Sequence, residues 1–329
     1  MRNTSIPILI FLILGSCRLA TTQSVPDPDS IAVSAIIEVA NAEQAEKLVP
    51  IWQTRLQTLY SPDIGFSMNH LERRIELRIK ADVDTSILKK VLTSTGKLEL
   101  VETFIASEFL DSLMVMNEYV REHKLMEGKM PADSLDETYP LFSLLYLAYW
   151  VNTSMDIADA AYCRLTDRHI LEQLIVEGGI LPFLPPGGDL LWHKYPDYRI
   201  DSIHRKLIIA KRLPGTYWNL NDMMGGLSLV ADKFWDPCIK IELKPPHHQT
   251  WSDITEDNIG RYLAVVLDGA VYSCPMVNER METSFIPLIL PNEAEAKVVA
   301  AIVSSAPIPK EINMSNVDIK VDRAAIHSH

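Results

Sequence analysis

The sequence has few of the features that mark an enzyme, a nucleic-acid-binding protein or a multispan membrane protein. No Lys- or Arg-rich run interrupts its 329 residues, and a formal net charge of −12 disfavours nucleic acid and a polybasic membrane-surface role. It contains no nucleophile elbow, Walker loop, dinucleotide fingerprint or HExxH helix. After residue 14 no apolar run reaches the roughly eighteen residues of a membrane-spanning helix. We therefore expect a protein that is not an enzyme and has neither a cofactor nor a nucleic-acid partner.

Cysteine and clustered metal ligands are also scarce. Of the four cysteines, Cys163, Cys238 and Cys274 lie in the body of the chain, and their spacing resembles neither a CxxC motif nor a zinc ribbon. One disulfide is compatible with an oxidising envelope, but we interpret the three as small buried hydrophobes. His247 and His248 have no carboxylate or cysteine ligands at suitable spacing, so we predict no metal site.

The N-terminal thirty residues predict an exported protein. A singly basic start and a short apolar stretch over residues 6–14 indicate a signal peptide at residues 1–16. The stretch ends in Leu-Gly-Ser-Cys17, which resembles the lipobox of bacterial lipoproteins, whose cysteine is acylated with fatty acids such as palmitate. The alternative is an ordinary signal peptide with Cys17 incidental. We expect a lipidated cysteine and tether at residues 17–30, hence a protein of the bacterial cell envelope, lipid-anchored to a membrane on its periplasmic side.

Residues 31–105 predict six elements in the order β-α-β-β-α-β. In residues 74–80 charged and apolar residues alternate, which predicts a strand with one solvated face. Asp84 is a helix N-cap candidate, and Gly96 stands where a C-terminal glycine is favoured. The order is that of a ferredoxin-like split arrangement, so we predict an α+β protein with a ferredoxin-like base at residues 31–105. The expected strands lie at 31–39, 64–69, 74–80 and 97–104, and the expected helices at 42–60 and 84–95.

The remaining elements are assigned from periodicity and turn residues. We predict a helical and loop connecting region at residues 106–200, followed by a mixed segment at 201–312 and a flexible polar tail at 313–329. Helices are expected at 107–123, 156–163, 167–176 and 292–303, strands at 205–212 and 238–243, and loops at 124–137 and 181–192.

The most distinctive segment, residues 251–278, predicts a helix followed by a tight β-hairpin. We interpret Asp257 and Asn258 as helix-start residues, and residues 263–267 as a strand buried on both faces. Asp268-Gly269 matches a two-residue hairpin turn in which both positions take positive φ.

The same segment carries a resemblance to a known family. The letters W-x-x-I-T-x-D-N-I-G and L-A-V-V-L-D-G-x-V-Y-S-x-P-x-V-N in residues 251–278 resemble the head of the large periplasmic domain of SecD and SecDF, membrane subunits that assist protein export. Residues 95–104, T-G-K-L-E-L-V-E-T-F, resemble the T-G-K-L-E-F-W-E-T-Y of that family. The resemblance covers most of residues 31–312 in register. It implies a SecD-like α/β head, with its helix and β-hairpin, at residues 201–312 above the base.

Two features depart from the family. SecD and SecDF carry membrane helices on both sides of this domain, whereas no comparable apolar run follows the signal peptide here, so we expect the periplasmic module to stand alone on a lipid anchor. Beyond the hairpin, residues 279–289 replace a glycine-rich family pattern. Because glycine adopts conformations that Thr and Ser adopt only at a cost, we expect a different path there.

The functional expectation follows from the resemblance. We expect binding of unfolded or translocating polypeptide, of Sec translocon components or of another envelope partner. The candidate polypeptide-binding residues are Tyr272, Met276, Asn278 and Phe285, although the apolar ones could instead pack against helix 292–303. An edge strand of the head could also pair with an extended chain. The alternative is a structural or regulatory envelope lipoprotein that keeps the fold without binding polypeptide.

Overall fold

The computed structural model describes residues 33–60, 64–69, 73–79, 83–148, 157–196, 202–230, 237–312 and 314–321. The predicted signal peptide, Cys17 and the tether lie outside these ranges. The described chain forms eight α-helices and fifteen strands in four sheets, a mixed helix and sheet architecture. The helices are α1 Ala42–Tyr60, α2 Thr85–Thr93, α3 Ala106–Glu122, α4 Pro140–Leu144, α5 Arg168–Val176, α6 Leu220–Met223, α7 His248–Asp257 and α8 Glu293–Val303.

The strands assemble into antiparallel sheets that we call A to D. Sheet A has the order β15-β1-β3-β2, sheet B β13-β12-β4-β9, sheet C β5-β6-β8-β7 and sheet D β10-β11-β14. The strands are β1 Val33–Val39, β2 Ile64–Asn69, β3 Arg74–Ile79, β4 Leu98–Glu102, β5 Leu145–Leu147, β6 Asp159–Arg164, β7 Gly188–Trp192, β8 His204–Lys211, β9 Tyr217–Asn219, β10 Met224–Val230, β11 Cys238–Leu243, β12 Leu263–Leu267, β13 Ala270–Ser273, β14 Phe285–Ile289 and β15 Met314–Val321.

Sheet A and its two helices contain most of the elements expected in residues 31–105. Alternate residues of β1 are buried, because one face of the sheet packs under α1 and α2. The Asp84 carboxylate caps α2 by accepting hydrogen bonds from the backbone nitrogens of Ser86 (2.8 Å) and Ile87 (3.3 Å). The strand expected at residues 97–104 also forms, as β4, but it pairs with β12 and β9 of sheet B instead of joining sheet A.

The fourth position of sheet A is taken by β15, which corrects the expected flexible tail at residues 313–329 over residues 314–321; residues 322–329 lie outside the described ranges. β15 pairs antiparallel with β1 from Val33 opposite Val321 to Val39 opposite Met314. Its apolar residues Val317 and Ile319 pack against the main core, whereas its charged residues face solvent. The high overall polarity of the segment predicts a tail, whereas its two-residue alternation of apolar and polar residues is typical of a strand.

Sheet C corrects the expected connecting region at residues 106–200. The segment 156–163 was expected to be a helix, but residues 159–164 form β6, which lies between β5 and β8. Its alanines favour a helix locally. The strand forms instead because hydrophobic clusters cover sheet C on both faces. Residues 181–192, expected as a loop, contain a short 3₁₀ helix and then β7. With α3, α4 and α5 this sheet builds a second hydrophobic core.

Sheets B and C pack face to face, and sheet B is buried on both sides. Leu263, Val265 and Leu267 of β12 face the main core, whereas Ala264 and Val266 face a small apolar layer shared with sheet C. All five residues are buried, as the continuous apolar run predicted. The range 201–312, expected to be one head, thus contributes strands to sheets B, C and D.

A buried arginine links the helices of sheet A to the end of α8. Arg55 in α1 has no exposed surface. It donates hydrogen bonds to the carbonyls of Val91 (2.8 Å), Ser94 and Thr95 (3.1 Å) and to the hydroxyl of Ser305 (2.9 Å). Burial lowers its pKa to about 10. Arg55 therefore satisfies the last carbonyls of α2 and fixes the chain that follows α8.

Candidate functional site

The hairpin between β12 and β13 is tied to the segment after α2. Asp268 and Gly269 have φ values of 52° and 79° and connect Leu267 to Ala270, the pair that closes the hairpin. The Asp268 carboxylate accepts hydrogen bonds from the backbone nitrogen of Lys97 (2.9 Å) and from the Thr95 hydroxyl. The turn is consequently held in place from outside the hairpin.

The expectation that Asp257 and Asn258 start a helix is wrong, because they lie at the end of the helix that precedes the hairpin. These residues were interpreted as a helix start, but α7 begins at His248 and Asn258 is its C-cap. The buried Asn258 carboxamide donates to the carbonyl of Ile254 (2.9 Å) and to the Glu102 carboxylate (3.2 Å). A capping amide serves either end of a helix, so residue type alone did not give the direction.

After the hairpin the chain crosses α7 as residues 275–284, which we call the crossing segment. The Ser252 hydroxyl donates to the carbonyl of Met281 (2.8 Å), and the Met281 nitrogen donates to the Thr255 hydroxyl (2.9 Å). Arg280 forms an ion pair of 2.5 Å with Glu256 of the same helix. The crossing segment is therefore attached along α7 by both backbone and charged contacts.

An apolar cavity of about 310 Å³ lies between the crossing segment, α7 and sheets B and D. Trp251 of α7 and Met281 of the crossing segment form part of its wall, and Asn278 and Glu279 are its polar lining residues at exposed positions. Met276 is 46% exposed, so a flexible thioether is available to solvent at this cavity. The arrangement can accept an apolar side chain from another molecule.

The four predicted polypeptide-binding residues do not form one surface. Met276 and Asn278 line the cavity. Tyr272 is only 8% exposed and packs edge-to-face on Tyr195, with ring centroids 5.6 Å apart. Burial, followed by the charge of nearby Glu295, raises the pKa of Tyr272.

Phe285 lies outside the cavity lining, on β14. Its half-buried ring receives the Lys240 ammonium group 4.6 Å from its centroid. Trp251 and Thr255, which do line the cavity, were not predicted. They are four residues apart and so lie on one helix face, which is the signal that would have found them.

Two kinds of feature are absent from the described ranges. No helix there has the length and apolar character needed to cross a membrane. Within the same ranges no three His, Cys, Asp or Glu side chains are grouped as metal ligands.

Residues 222–310 match the family model described as "SecDF, P1 head subdomain". This range contains α7, the hairpin, the crossing segment and most of the cavity lining. Among curated relatives, protein translocase subunit SecD of Rhodothermus marinus is 27% identical over 152 residues, which cover 45% of this chain and 24% of the relative. Protein translocase subunit SecDF of Thermus thermophilus is 27% identical over 160 residues, covering 48% and 22%. SecD of Endomicrobium trichonymphae is 33% identical over 129 residues, covering 36% and 27%.

The matched part of this chain spans about a quarter of the length of these relatives. Two solved structures are also similar. "Crystal structure of SecDF in Super-membrane-facing form" has a TM-score of 0.47 at 13% identity and covers 89% of this chain and 32% of that one. "Structure and function of a membrane component SecDF that enhances protein export" has a TM-score of 0.42 at 15% identity, covering 86% and 98%. Residues 222–310 are thus similar to the SecDF P1 head subdomain, and the chain is similar to part of these SecD and SecDF proteins.

Proposed function

We propose that this chain acts in protein export, as a non-enzymatic periplasmic domain whose head binds unfolded or translocating polypeptide. We use "head" for residues 222–310. The observation that carries the proposal is the match of this range to the SecDF head model, because it includes the cavity at the crossing segment. Components of the Sec translocon are the proposed partners.

The cavity suits a ligand of variable sequence. Its walls are mainly aliphatic, aromatic and thioether groups, which gain free energy from apolar contact without demanding one hydrogen-bonding pattern. Met276 and Met281 have flexible, polarisable side chains that repack around different residues. Asn278 and Glu279 offer polar groups to a peptide backbone. We infer that single apolar side chains of an extended chain enter here.

The architecture supports a second part of the proposal. We propose that sheet A, α1 and α2 form the ferredoxin-like base, with β15 in the strand position first assigned to residues 97–104. The contacts of Arg55 with the α2 carbonyls and with Ser305 then join the base to the segment that follows α8.

The anchor remains a proposal drawn from the N-terminal sequence. We propose that Cys17 is acylated and holds the domain on the periplasmic side of a membrane of the cell envelope. Acyl labelling of the wild type and of Cys17→Ala, followed by membrane fractionation, tests this. Loss of label and release of the variant from membranes are expected. Equal solubility of the two forms would contradict the anchor.

Site-specific photo-crosslinking tests the binding function. A photoreactive amino acid at Met276 or Asn278 is expected to capture polypeptides in transit, and their yield should fall when secretion is blocked before the translocon. Met114 is a matched control, because it is a similarly exposed methionine (42%) on α3, outside the cavity. Equal capture from Met114 and Met276, or none from either cavity position, would contradict polypeptide binding at this site.

One observation favours the alternative of a structural or regulatory lipoprotein. The crossing segment is fixed to α7 by Ser252, Thr255 and the ion pair between Arg280 and Glu256, which restricts how far the cavity can widen. Normal secretion kinetics in cells that lack the protein, together with absent crosslinks, would favour this alternative.

A further inference from the structure

Strand β10 forms one edge of sheet D, and its outer side carries no partner strand among the described residues. The sheet order is β10-β11-β14, so β10 pairs with β11 alone. Leu227, Ser228 and Leu229 lie opposite Ile241, Lys240 and Ile239. The question is which backbone groups of β10 point away from β11.

The position of Pro287 in β14 shows which way the backbone groups of β10 and β11 point. Lys240 lies between Ser228 of β10 and Pro287 of β14. Because Pro287 has no N–H group, the pair Lys240–Pro287 does not exchange hydrogen bonds, and the backbone groups of Lys240 point towards β10. Lys244 is an even number of residues from Lys240, so its backbone groups point to the same side, and its nitrogen donates to the carbonyl of Met223 at 2.8 Å.

The alternate residues of β10 must then face outwards. The Leu243 nitrogen of β11 donates to the Ser284 carbonyl beside β14 at 2.8 Å, so the alternate residues of β11 bond on the β14 side. Ser228 therefore bonds to β11, whereas the N–H and C=O groups of Leu227 and Leu229 point to the open edge. Neither residue makes another backbone hydrogen bond in the described chain.

The two edges of sheet D differ in their protection against strand addition. Pro287 stands on the outer edge of β14 and removes one donor from it. The sequence of β10, Met-Gly-Gly-Leu-Ser-Leu-Val, has neither a proline nor a charge. Natural edge strands commonly carry one or both to prevent unwanted pairing. Among the described residues, β10 beyond its irregularity at Met224 to Gly226 is therefore the edge of sheet D that is open to another strand.

A cleft of about 940 Å³ lies beside this open edge. Its wall on the strand side includes Leu227 and Leu229. Its other side includes Leu59 of α1, Lys297 and Ala300 of α8, and Ser304, the residue that follows α8. Ala300 and Ser304 are small, so they leave room for incoming side chains. The outward backbone groups of Leu227 and Leu229 are about 7 Å apart at strand spacing, which suits a short extended segment.

We propose that β10 binds an extended polypeptide segment as an added antiparallel strand of sheet D, whose alternate side chains enter the cleft over α1 and α8. The main chain of the segment supplies the recognition, and its side chains at every second position lie beside Leu227 and Leu229 in a cleft of mixed polar and apolar lining. The proposal rests on the proposed function for the identity of the ligand as unfolded polypeptide. Its site is separate from the cavity at the crossing segment.

The first experiment uses a fluorescein-labelled heptapeptide of alternating Val and Thr and the full-length protein. Fluorescence anisotropy is expected to show binding that Leu229→Pro weakens at least tenfold, because the variant removes an outward donor and leaves the ladder to β11 intact. Ile289→Pro is the matched control, since Ile289 lies on the outer edge of β14, and should change the affinity less than twofold. Equal effects of the two proline variants would overturn the proposal.

A second pair of probes tests the main-chain hydrogen bonds directly. In antiparallel addition, peptide residues that pair with Leu227 and Leu229 point their side chains into the cleft. N-methylation of the Val amides should therefore abolish binding, whereas N-methylation of the Thr amides should have little effect. Equal binding of the two methylated peptides would overturn strand addition.

Further variants separate the possible occupants and sites. Ala300→Trp fills the cleft without touching the edge and should also weaken binding, which covers the case in which Leu229→Pro does not fold. Met114→Lys, at an exposed methionine of α3 that lines neither site, should leave heptapeptide affinity unchanged. If Met276→Lys removes binding and Leu229→Pro does not, the peptide occupies the cavity, and the β10 proposal fails while the proposed function stands. A wild-type dimer by light scattering that Leu229→Pro dissociates would identify a second copy as the occupant and overturn the proposal.

Discussion

The carboxylate of Asp268 accepts a hydrogen bond from the backbone nitrogen of Lys97 at 2.9 Å, and the Asp268 nitrogen donates back to the Lys97 carbonyl at 3.0 Å. The hairpin turn and the segment after α2 are thus paired in both directions. The Thr95 hydroxyl adds a third contact to the same carboxylate. The hairpin that is most distinctive in sequence is also a joint between two parts of the fold.

This joint predicts a difference between two substitutions at one residue. Asp268→Ala removes the side-chain hydrogen bonds and places alanine at a positive φ of 52°, so we expect a loss of about 1–2 kcal/mol in the free energy of unfolding. Asp268→Asn keeps an acceptor oxygen and tolerates this backbone conformation, so the loss should be smaller. Urea unfolding followed by circular dichroism measures both. Equal losses would contradict the assigned role of the side-chain oxygen.

Replacement of Gly96 by alanine should destabilise the protein more than the same replacement at Gly128, because only Gly96 has close neighbours. A Cβ atom there would lie 2.7 Å from Nη2 of the buried Arg55 and 3.2 Å from the carbonyl of Ile302. Gly96→Ala should therefore cost about 2–5 kcal/mol through backbone strain and crowding. Gly128→Ala is the control, because Gly128 also has a positive φ but has no atom within 4 Å of the added carbon. It should cost only about 1 kcal/mol, and a similar cost for both would refute the crowding at Arg55.

The cavity predicts an effect on binding at constant stability. Met276→Lys should weaken binding of a reduced and carboxymethylated protein about fivefold, since a charged group replaces apolar contact area. Met114→Lys, at a similarly exposed methionine on α3, should change neither binding nor stability. Anisotropy and urea unfolding measure the two properties. Weaker binding by both variants would indicate a general charge effect instead of a site.

The N-cap of α2 predicts a dependence of stability on pH. Hydrogen bonds from the side chain and backbone of Ser86, and from the backbone of Ile87, hold the pKa of Asp84 below its ordinary value of 3.8. A lowered pKa in the folded state gives stability that is present above pH 3.8 and is lost as the pH falls through the folded-state pKa. Asp84→Ala should lower the urea midpoint at pH 7 and converge with wild type at the acid end. A constant difference at all pH values would exclude this linkage.

The Cys163 thiol predicts resistance to alkylation. Burial, and then the charge of nearby Asp167, raises the pKa of Cys163 to about 12. The reactive thiolate is therefore both scarce and inaccessible at pH 8. Iodoacetamide followed by peptide mass spectrometry should modify Cys163 only after unfolding in urea. Labelling of the native protein at the rate of a free cysteine would show that this core opens readily.

Local signals in the sequence were sufficient for most of the elements of sheet A. Asp84 caps α2 as expected, and the alternation in residues 74–80 gives β3, because capping and two-residue alternation depend on neighbours in sequence. Strand partners were not predictable in this way. β4 lies between β12 and β9, and β15 lies beside β1, through contacts between segments far apart in the chain.

The candidate site was predictable only in part, for a related reason. Met276 and Asn278 line the cavity, and their binding of polypeptide stays a prediction. Tyr272 was misplaced because β13 is covered on both faces: Val271 enters the layer between sheets B and C, and Tyr272 enters the main core. Alternation on a strand predicts an exposed face only if one face is free, and the packing of sheet C on sheet B decides that.

The pairing of β15 with β1 sets an order of events for a chain that emerges N-terminus first. β1 is the first described strand to leave the ribosome, and β15, its neighbour in sheet A, is the last, so this edge of β1 is at first unpaired. Contacts between such distant segments form late and slowly, since a long loop must close first. Until then the unpaired edge can associate with strands of other molecules, and a chaperone that covers it would prevent such aggregation. Sheet A therefore closes only when the whole described chain has arrived.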